Sequence, residues 1–264
     1  MTLSNATLKP LAWQAGIIGG LLVIWQWAAL THPAPQLPQL QAIAADYWRF
    51  VQGDLLYSAV LPSLFRVLCG LVLAVLAGSA IGLAIGNMRA IDPWIRPVLE
   101  YLRFIPAVAI LPAAMLLLGP TDTMRIFVIV FGSIFPVILA AIDGARRVDV
   151  TLLDVARVNG LSTRAQIVRV VLPAALPAIF AGVRIALGLA LIMMVISELI
   201  AADNGIGFYI LRSQRLFQTA GVYAGVLVIG TIGWALTGIL VALETRVLGW
   251  HRGWRGLSGK KSGS

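Results

Sequence analysis

The chain has 264 residues, a mean hydropathy of +0.92, 59% hydrophobic residues and only 12% charged ones. A soluble domain carries about 25% charged residues, so this composition excludes a large water-soluble domain and points to a polytopic membrane protein. The net charge of +9 does not mark a nucleic-acid binder, because the basic residues stand singly between apolar runs.

Lys9 precedes an apolar run, Ala12 to Leu30, that is too long for the apolar region of a cleaved signal peptide, which spans roughly 7–15 residues. It predicts a first membrane helix. The stretch HPAPQLPQLQ, His32 to Gln41, holds three prolines and predicts an exit loop. In QAIAADYWRFVQGDLL, Ile43, Tyr47, Phe50 and Val51 share one helical face, which predicts a short helix in the membrane interface. Five further spans are predicted at about 60–86, 97–118, 124–143, 176–200 and 221–243, each near the roughly 20 residues that cross a bilayer. Gly78, Gly82 and Gly86 recur every fourth residue, a strip that lets a neighbouring helix approach closely. Pro106, Pro112 and Pro136 interrupt apolar runs. The lone Cys69 permits no internal disulfide, and with only His32 and His251 beside it no His/Cys metal site is expected.

Lys and Arg set the orientation. With the N-terminus in the cytoplasm, Lys9, Arg89, Arg96, Arg146, Arg147, Arg157, Arg164, Arg169 and the tail's Arg246, Arg252, Arg255, Lys260 and Lys261 all fall inside, while Arg49, Arg125, Arg212 and Arg215 fall outside. Both termini are then cytoplasmic. Arg66, Arg184 and Glu198 lie at or within the spans, where an ionisable residue is a functional candidate. Either they contact a substrate, or the arginines reach to headgroups and Glu198 pairs with an arginine such as Arg66 or Arg212. The outer segment 202–220 reads as a gate, as a docking surface or as a structural cap.

The most polar internal stretch is DVARVNGLSTRAQIVRVVLP, Asp154 to Pro173. Thr151 and Asp154 have capping-box spacing, Leu152, Val155 and Ala156 are expected on one face, and Asn159-Gly160 is a natural stop. Ser162 can cap a second helix to Arg169 or Val170, limited by Pro173. Such a helical pair is either a connector packed back on the bundle or a knob for a cytoplasmic partner.

The spacing Asp154-Val155-Ala156, Gly160, Val170-Val171-Leu172-Pro173 resembles the Glu-Ala-Ala, Gly, Ile-x-Leu-Pro signature of the permease subunits of ATP-binding-cassette importers. Asp replaces Glu, and Val replaces the first Ala and the Ile. GVRIALGLALIMMVISELIAADNGIGFYI is similar to the corresponding part of the subgroup that imports taurine, alkanesulfonates or nitrate. The resemblance implies an all-α membrane fold of six transmembrane helices, like type I importers, in one permease domain over 1–264, with core spans at about 60–243, a coupling loop at about 144–175 and a basic tail at 244–264. It implies a bacterial inner-membrane protein that moves a small solute by alternating access. The partners it implies are two ATPase subunits, a second permease copy (a homodimer) and a periplasmic binding protein, besides membrane lipid. Leu153, Asp154, Val155, Ala156, Asn159 and Gly160 would form the ATPase-coupling surface. No cofactor is expected on this chain; ATP and Mg would reside on the ATPase subunits, since no phosphate-binding loop is present. The competing reading is a secondary transporter driven by an ion gradient, with Glu198 as the intramembrane acid. No enzymatic constellation is visible.

Overall fold

The computed structural model describes residues 5–32, 34–88, 90 and 92–249, all of whose regular structure is helical. The basic tail from residue 250, with His251, lies outside the described residues. Helix α1 spans Asn5–Thr31, α2 Leu40–Gln52, α3 Leu61–Asn87, α4 Asp92–Phe104, α5 Leu111–Leu118 and α6 Asp122–Arg146. Then come α7 Val150–Val158, α8 Thr163–Gln166, α9 Leu172–Ala201, α10 Ile206–Arg215 and α11 Thr219–Val247.

Among the described residues, four continuous helices are long and apolar enough to cross a membrane: Leu56–Asn87, Asp122–Arg146, Thr163–Ala201 and Thr219–Val247. The expected span at 97–118 is not one helix. Its two halves meet at 82°, because Pro106 has an extended backbone, φ −59° and ψ 121°, and disfavours helical geometry at Ile105 before it. The apolar part of α1, Gly16–Thr31, is shorter than the four continuous spans.

The other prolines do not break their helices. Pro62 and Pro173 each lack an N–H and would crowd the carbonyl four residues back. A π-helical turn precedes each Leu-Pro pair, at Leu56–Val60 and Ile167–Val171, with bonds Leu61 N–H to Leu56 C=O and Leu172 N–H to Ile167 C=O. The wider turn lets the helix continue. The second loop helix, expected to end by Arg169 or Val170, therefore runs unbroken from Thr163 to Ala201.

The core is the packed trio α3, α6 and α9. Val67, Ala74, Val128, Ile129, Val137, Ala141, Ala175, Ala186 and Ala190 are fully buried there. The predicted glycine strip forms its main seam. A Cβ at Gly78 would stand 3.0 Å from the Val137 side chain, at Gly82 2.5 Å from the Ile138 carbonyl, and at Gly86 2.7 Å from Ala145. In lipid such contacts, not exclusion of water, hold helices together. Helix α2 buries Ile43 and Phe50 against α10 and α11, while Val51 stays exposed. Its Tyr47 hydroxyl meets Thr231 Oγ1 at 3.0 Å.

Candidate functional site

Three regions carry polar chemistry on this apolar frame: the loop helix α7 at one end of the bundle, a charged network at the opposite end, and a cavity between them.

Helix α7 starts two residues earlier than its capping-box spacing implies. Asp149, not Thr151, is the N-cap, and its carboxylate accepts the Thr151 N–H at 2.9 Å. That bond holds the Asp149 carboxyl below the ordinary carboxylate range. Asp154 instead pairs with Arg157 at 2.8 Å on the surface. Gly160 ends the helix with φ +72°, and Ser162 caps α8 through the Ala165 N–H, both as expected. The expected face of Leu152, Val155 and Ala156 is divided, because α7 packs one side against α8 and the π-turn that follows it. Ala156 and Leu153 pack inward, whereas Val150, Leu152, Val155 and Val158 are exposed, Val158 at 88%. Asn159 turns its side chain back to the Val155 carbonyl. One face anchors the loop, and the other carries apolar side chains exposed away from the bundle.

At the opposite end Arg66 and Glu198 come together, 2.7 Å apart and no more than 1% exposed. The Glu198 carboxylate also accepts from the Ser63 hydroxyl at 2.8 Å and the Gly207 N–H at 2.9 Å. Arg66 reaches Asp122 at 2.8 Å and both oxygens of Asn204. Asp122 in turn pairs with Arg125 at 2.6 Å, and Arg125 donates to the carbonyls of Pro120 and Ala201. Gly205, at φ +105°, lets the chain fold over the carboxylate: a Cβ there would lie 2.5 Å from it. A buried ion pair needs such saturation to offset its lost hydration. The network ties α3, α6, α9 and the start of α10 into one block. Arg66 thus spends its donors on protein. Arg184 lies elsewhere, half exposed, paired with Glu244 of α11 at 2.6 Å.

The cavity, about 670 Å³, opens where the 82° bend pulls the chain away from α6 and α9. None of Arg66, Arg184 and Glu198 lines it. On α6 its wall is the strip Phe131, Phe135, Leu139, Asp143, Arg147, which falls on one face at four-residue spacing. The ring pair Phe131–Phe135 is edge-to-face at 5.3 Å. Helix α9 contributes small residues, Ala178, Ala181 and Gly182, towards the charged end and Ile185 and Leu189 beyond them. Arg103, from the end of α4, adds a second guanidinium. Sequence reading missed this site, since Arg147 was noted only as a marker of topology. The available signal was the four-residue strip along α6 together with Ile105-Pro106. It also missed Asp122 and Arg125 as partners of Arg66, although their i, i+3 spacing at a helix start was visible.

Comparison with known proteins bears on all three regions. A family model described as "Binding-protein-dependent transport system inner membrane component" matches residues 56–249. The Bacillus subtilis protein named as an aliphatic sulfonates transport permease, SsuC, is 29% identical, over 94% of this chain and 91% of that one. The Escherichia coli taurine transport system permease TauC is 34% identical, over 89% and 88%. The bicarbonate transport system permease CmpB of Synechococcus elongatus is 30% identical, over 92% and 90%. Among solved structures, the MetNI methionine ABC transporter in an inward-facing conformation matches with TM-score 0.59 at 14% identity, covering 73% of this chain and 97% of that chain, a likeness of fold. The family match takes in every element from the π-turn before α3 to the end of α11, and so the chain belongs to the binding-protein-dependent inner membrane components, the permeases of ATP-binding-cassette importers.

Proposed function

We propose that two copies of this chain form the transmembrane pathway for a small anion, each seating α7 in a separate ATPase subunit, with solute delivered by a periplasmic binding protein. The observation that carries the reading is the exposed apolar face of α7, bounded by the positive-φ Gly160. Val150, Leu152, Val155 and Val158 present a row of apolar side chains on a short, anchored helix, the form in which a helix enters a partner's groove. Leu153 and Ala156 hold it to the bundle, and Asp154, Asn159 and Gly160 complete the surface. ATP and Mg are held by the ATPase subunits, and this chain hydrolyses nothing itself. The sulfonate, taurine and bicarbonate named for the relatives support a small anion as cargo.

In this reading α7 and both termini face the cytoplasm, as the arginine distribution requires. A cysteine at Ser162 is then labelled from the cytoplasmic side alone, and one at Gln214 from the outside alone; the reverse pattern would overturn the orientation. For coupling, Val155→Asp and Leu152→Asp place charges in the proposed groove without touching the bundle. The expected result is that the ATPase subunit no longer co-purifies with a normally folded permease. Retention of the ATPase by both variants would remove α7 as the docking helix.

A further inference from the structure

We infer that the turn joining α10 to α11 is the dock for the solute-delivering protein, and that this partner carries an acidic surface with an apolar pocket for Phe217. The inference rests on the permease reading above, which puts this turn at the outer face, and adds the place and the chemistry of the encounter.

The turn is built against the preference of its own backbone. Phe217 has φ +56°, and among the described residues it alone has a positive φ without being glycine. It sits just past the end of α10. The Gln218 N–H reaches back to the Ser213 carbonyl at 2.8 Å, and the Phe217 N–H to the Gln214 carbonyl at 3.1 Å. That pair of bonds marks a helix terminus where glycine is the usual residue, because a Cβ crowds the left-handed backbone. The other described positive-φ positions, Gly119, Gly160 and Gly205, are glycines. Phe217 gains nothing from packing in return: it is 85% exposed, with Leu216 beside it at 55%. A bulky side chain held on a strained backbone and presented to water has its use outside the chain.

The surroundings set the partner's chemistry. Arg212 and Arg215, in the last turn of α10, stand exposed, and neither has an ion-pair partner among the described residues. No Asp or Glu occurs in residues 205–243 or 31–45. The second of these segments adjoins the turn, since Thr219 and Tyr223 donate to the carbonyls of Pro35 and Gln36. Two cations without an acid among them attract a carboxylate-bearing surface. A helix that lies on lipid headgroups keeps its apolar face for the membrane. Helix α10 turns that face to the protein instead: Ile206, Tyr209 and Ile210 pack with α2 and α11, and a Cβ at Gly225 would lie 2.5 Å from Ile210. Outward stand the two arginines, Gln214 and Gln218 around Leu216 and Phe217. An aromatic anchor ringed by polar groups suits a protein partner's pocket.

The test uses the full-length permease, alone and with its ATPase subunit, in phosphatidylcholine nanodiscs. Its purified periplasmic binding protein is the probe, and association and dissociation are followed by biolayer interferometry. Phe217→Gly and Phe217→Asn both suit a left-handed backbone. They are expected to melt no lower than the parent yet bind roughly 10–100-fold more weakly, the loss of one buried aromatic side chain, through faster dissociation. Arg212→Gln and Arg215→Gln together are expected to slow association several-fold and to flatten the fall of the parent's association rate with salt, at unchanged dissociation. Unchanged binding by the Phe217 variants would overturn the inference and leave the turn to lipid headgroups. A lowered melting midpoint in both would also overturn it, by giving the ring a structural role. So would an association rate indifferent to the arginines and to salt, or no association with the parent at all. The permease reading fails by a different route, loss of the α7–ATPase association, which is scored separately.

Discussion

The two arginine-bearing regions of this protein are opposites. At the α10 end, Arg66 is 1% exposed and bonded to Glu198, Asp122 and Asn204. At the bend, Arg103 and Arg147 stand exposed at the edge of an apolar cavity, and neither has an ion-pair partner among the described residues. A charge within a membrane span is a default candidate for function; here the more deeply placed charge is the one already neutralised, and the shallower charges are the ones with bonding capacity left. Saturation of their hydrogen-bonding groups, more than their place in a span, marks Arg66 and Glu198 as structural.

The contrast is breakable by substitution. The largest effect is expected from Glu198→Ala, which leaves Arg66 buried without its closest carboxylate; breaking such a pair costs about 3–5 kcal/mol. Thermal unfolding in detergent should show a strongly lowered midpoint, whereas Arg147→Gln should melt with the parent. Equal melting of all three proteins would erase the distinction. Next is Gly205→Ala, which meets the Glu198 carboxylate at 2.5 Å with φ at +105° and should cost about 2 kcal/mol. In a double-mutant cycle with Glu198→Ala the costs should be less than additive, since the first substitution removes the obstacle. Additive costs would mean that Gly205 acts through backbone strain alone.

Gly160→Val should cost about 1–2 kcal/mol through its positive φ, since a Cβ there meets no neighbouring residue within 4 Å. Its expected signature is a normal melting profile of the network end and reduced stimulation of the ATPase; full stimulation would show that the bend is not needed for coupling. The smallest effect belongs to Arg184→Gln. The pair with Glu244 is half exposed, and such pairs contribute about 0–1 kcal/mol. A large loss of uptake at unchanged stability would instead return Arg184 to the pathway.

Much of the fold is legible in the sequence because lipid imposes few solutions on a backbone. Long apolar runs gave four continuous helices, and the Gly78, Gly82, Gly86 strip gave the α3–α6 seam. The fifth run misled, since hydropathy does not register that Pro106 turns the chain by 82° while Pro136 and Pro177 leave their helices intact. The difference lies in context: Pro136 and Pro177 are embedded in α6 and α9, where packing sustains the helix around them. The candidate site was legible in kind but not in place. Arg66 and Glu198 were visible as spans' charges, and their pairing was one of the readings open. That Asp122, Asn204 and Ser63 complete the set depends on three helix ends meeting, which no local pattern encodes. Family membership in turn sets aside the ion-gradient transporter, whose acid would have been Glu198.

The unbroken helix from Thr163 to Ala201 has a consequence for coupling. Its 39 residues make a rod of roughly 58 Å, about twice the hydrocarbon thickness of a bilayer. Its first residues follow the α7 turn, and its last turn holds Glu198. No non-helical residue separates the two ends. In the proposed coupling, a push on the loop at one face of the membrane would reach the other face through one continuous helix. The π-turn before Pro173 lets that beam begin in the polar loop and still cross the membrane in one piece.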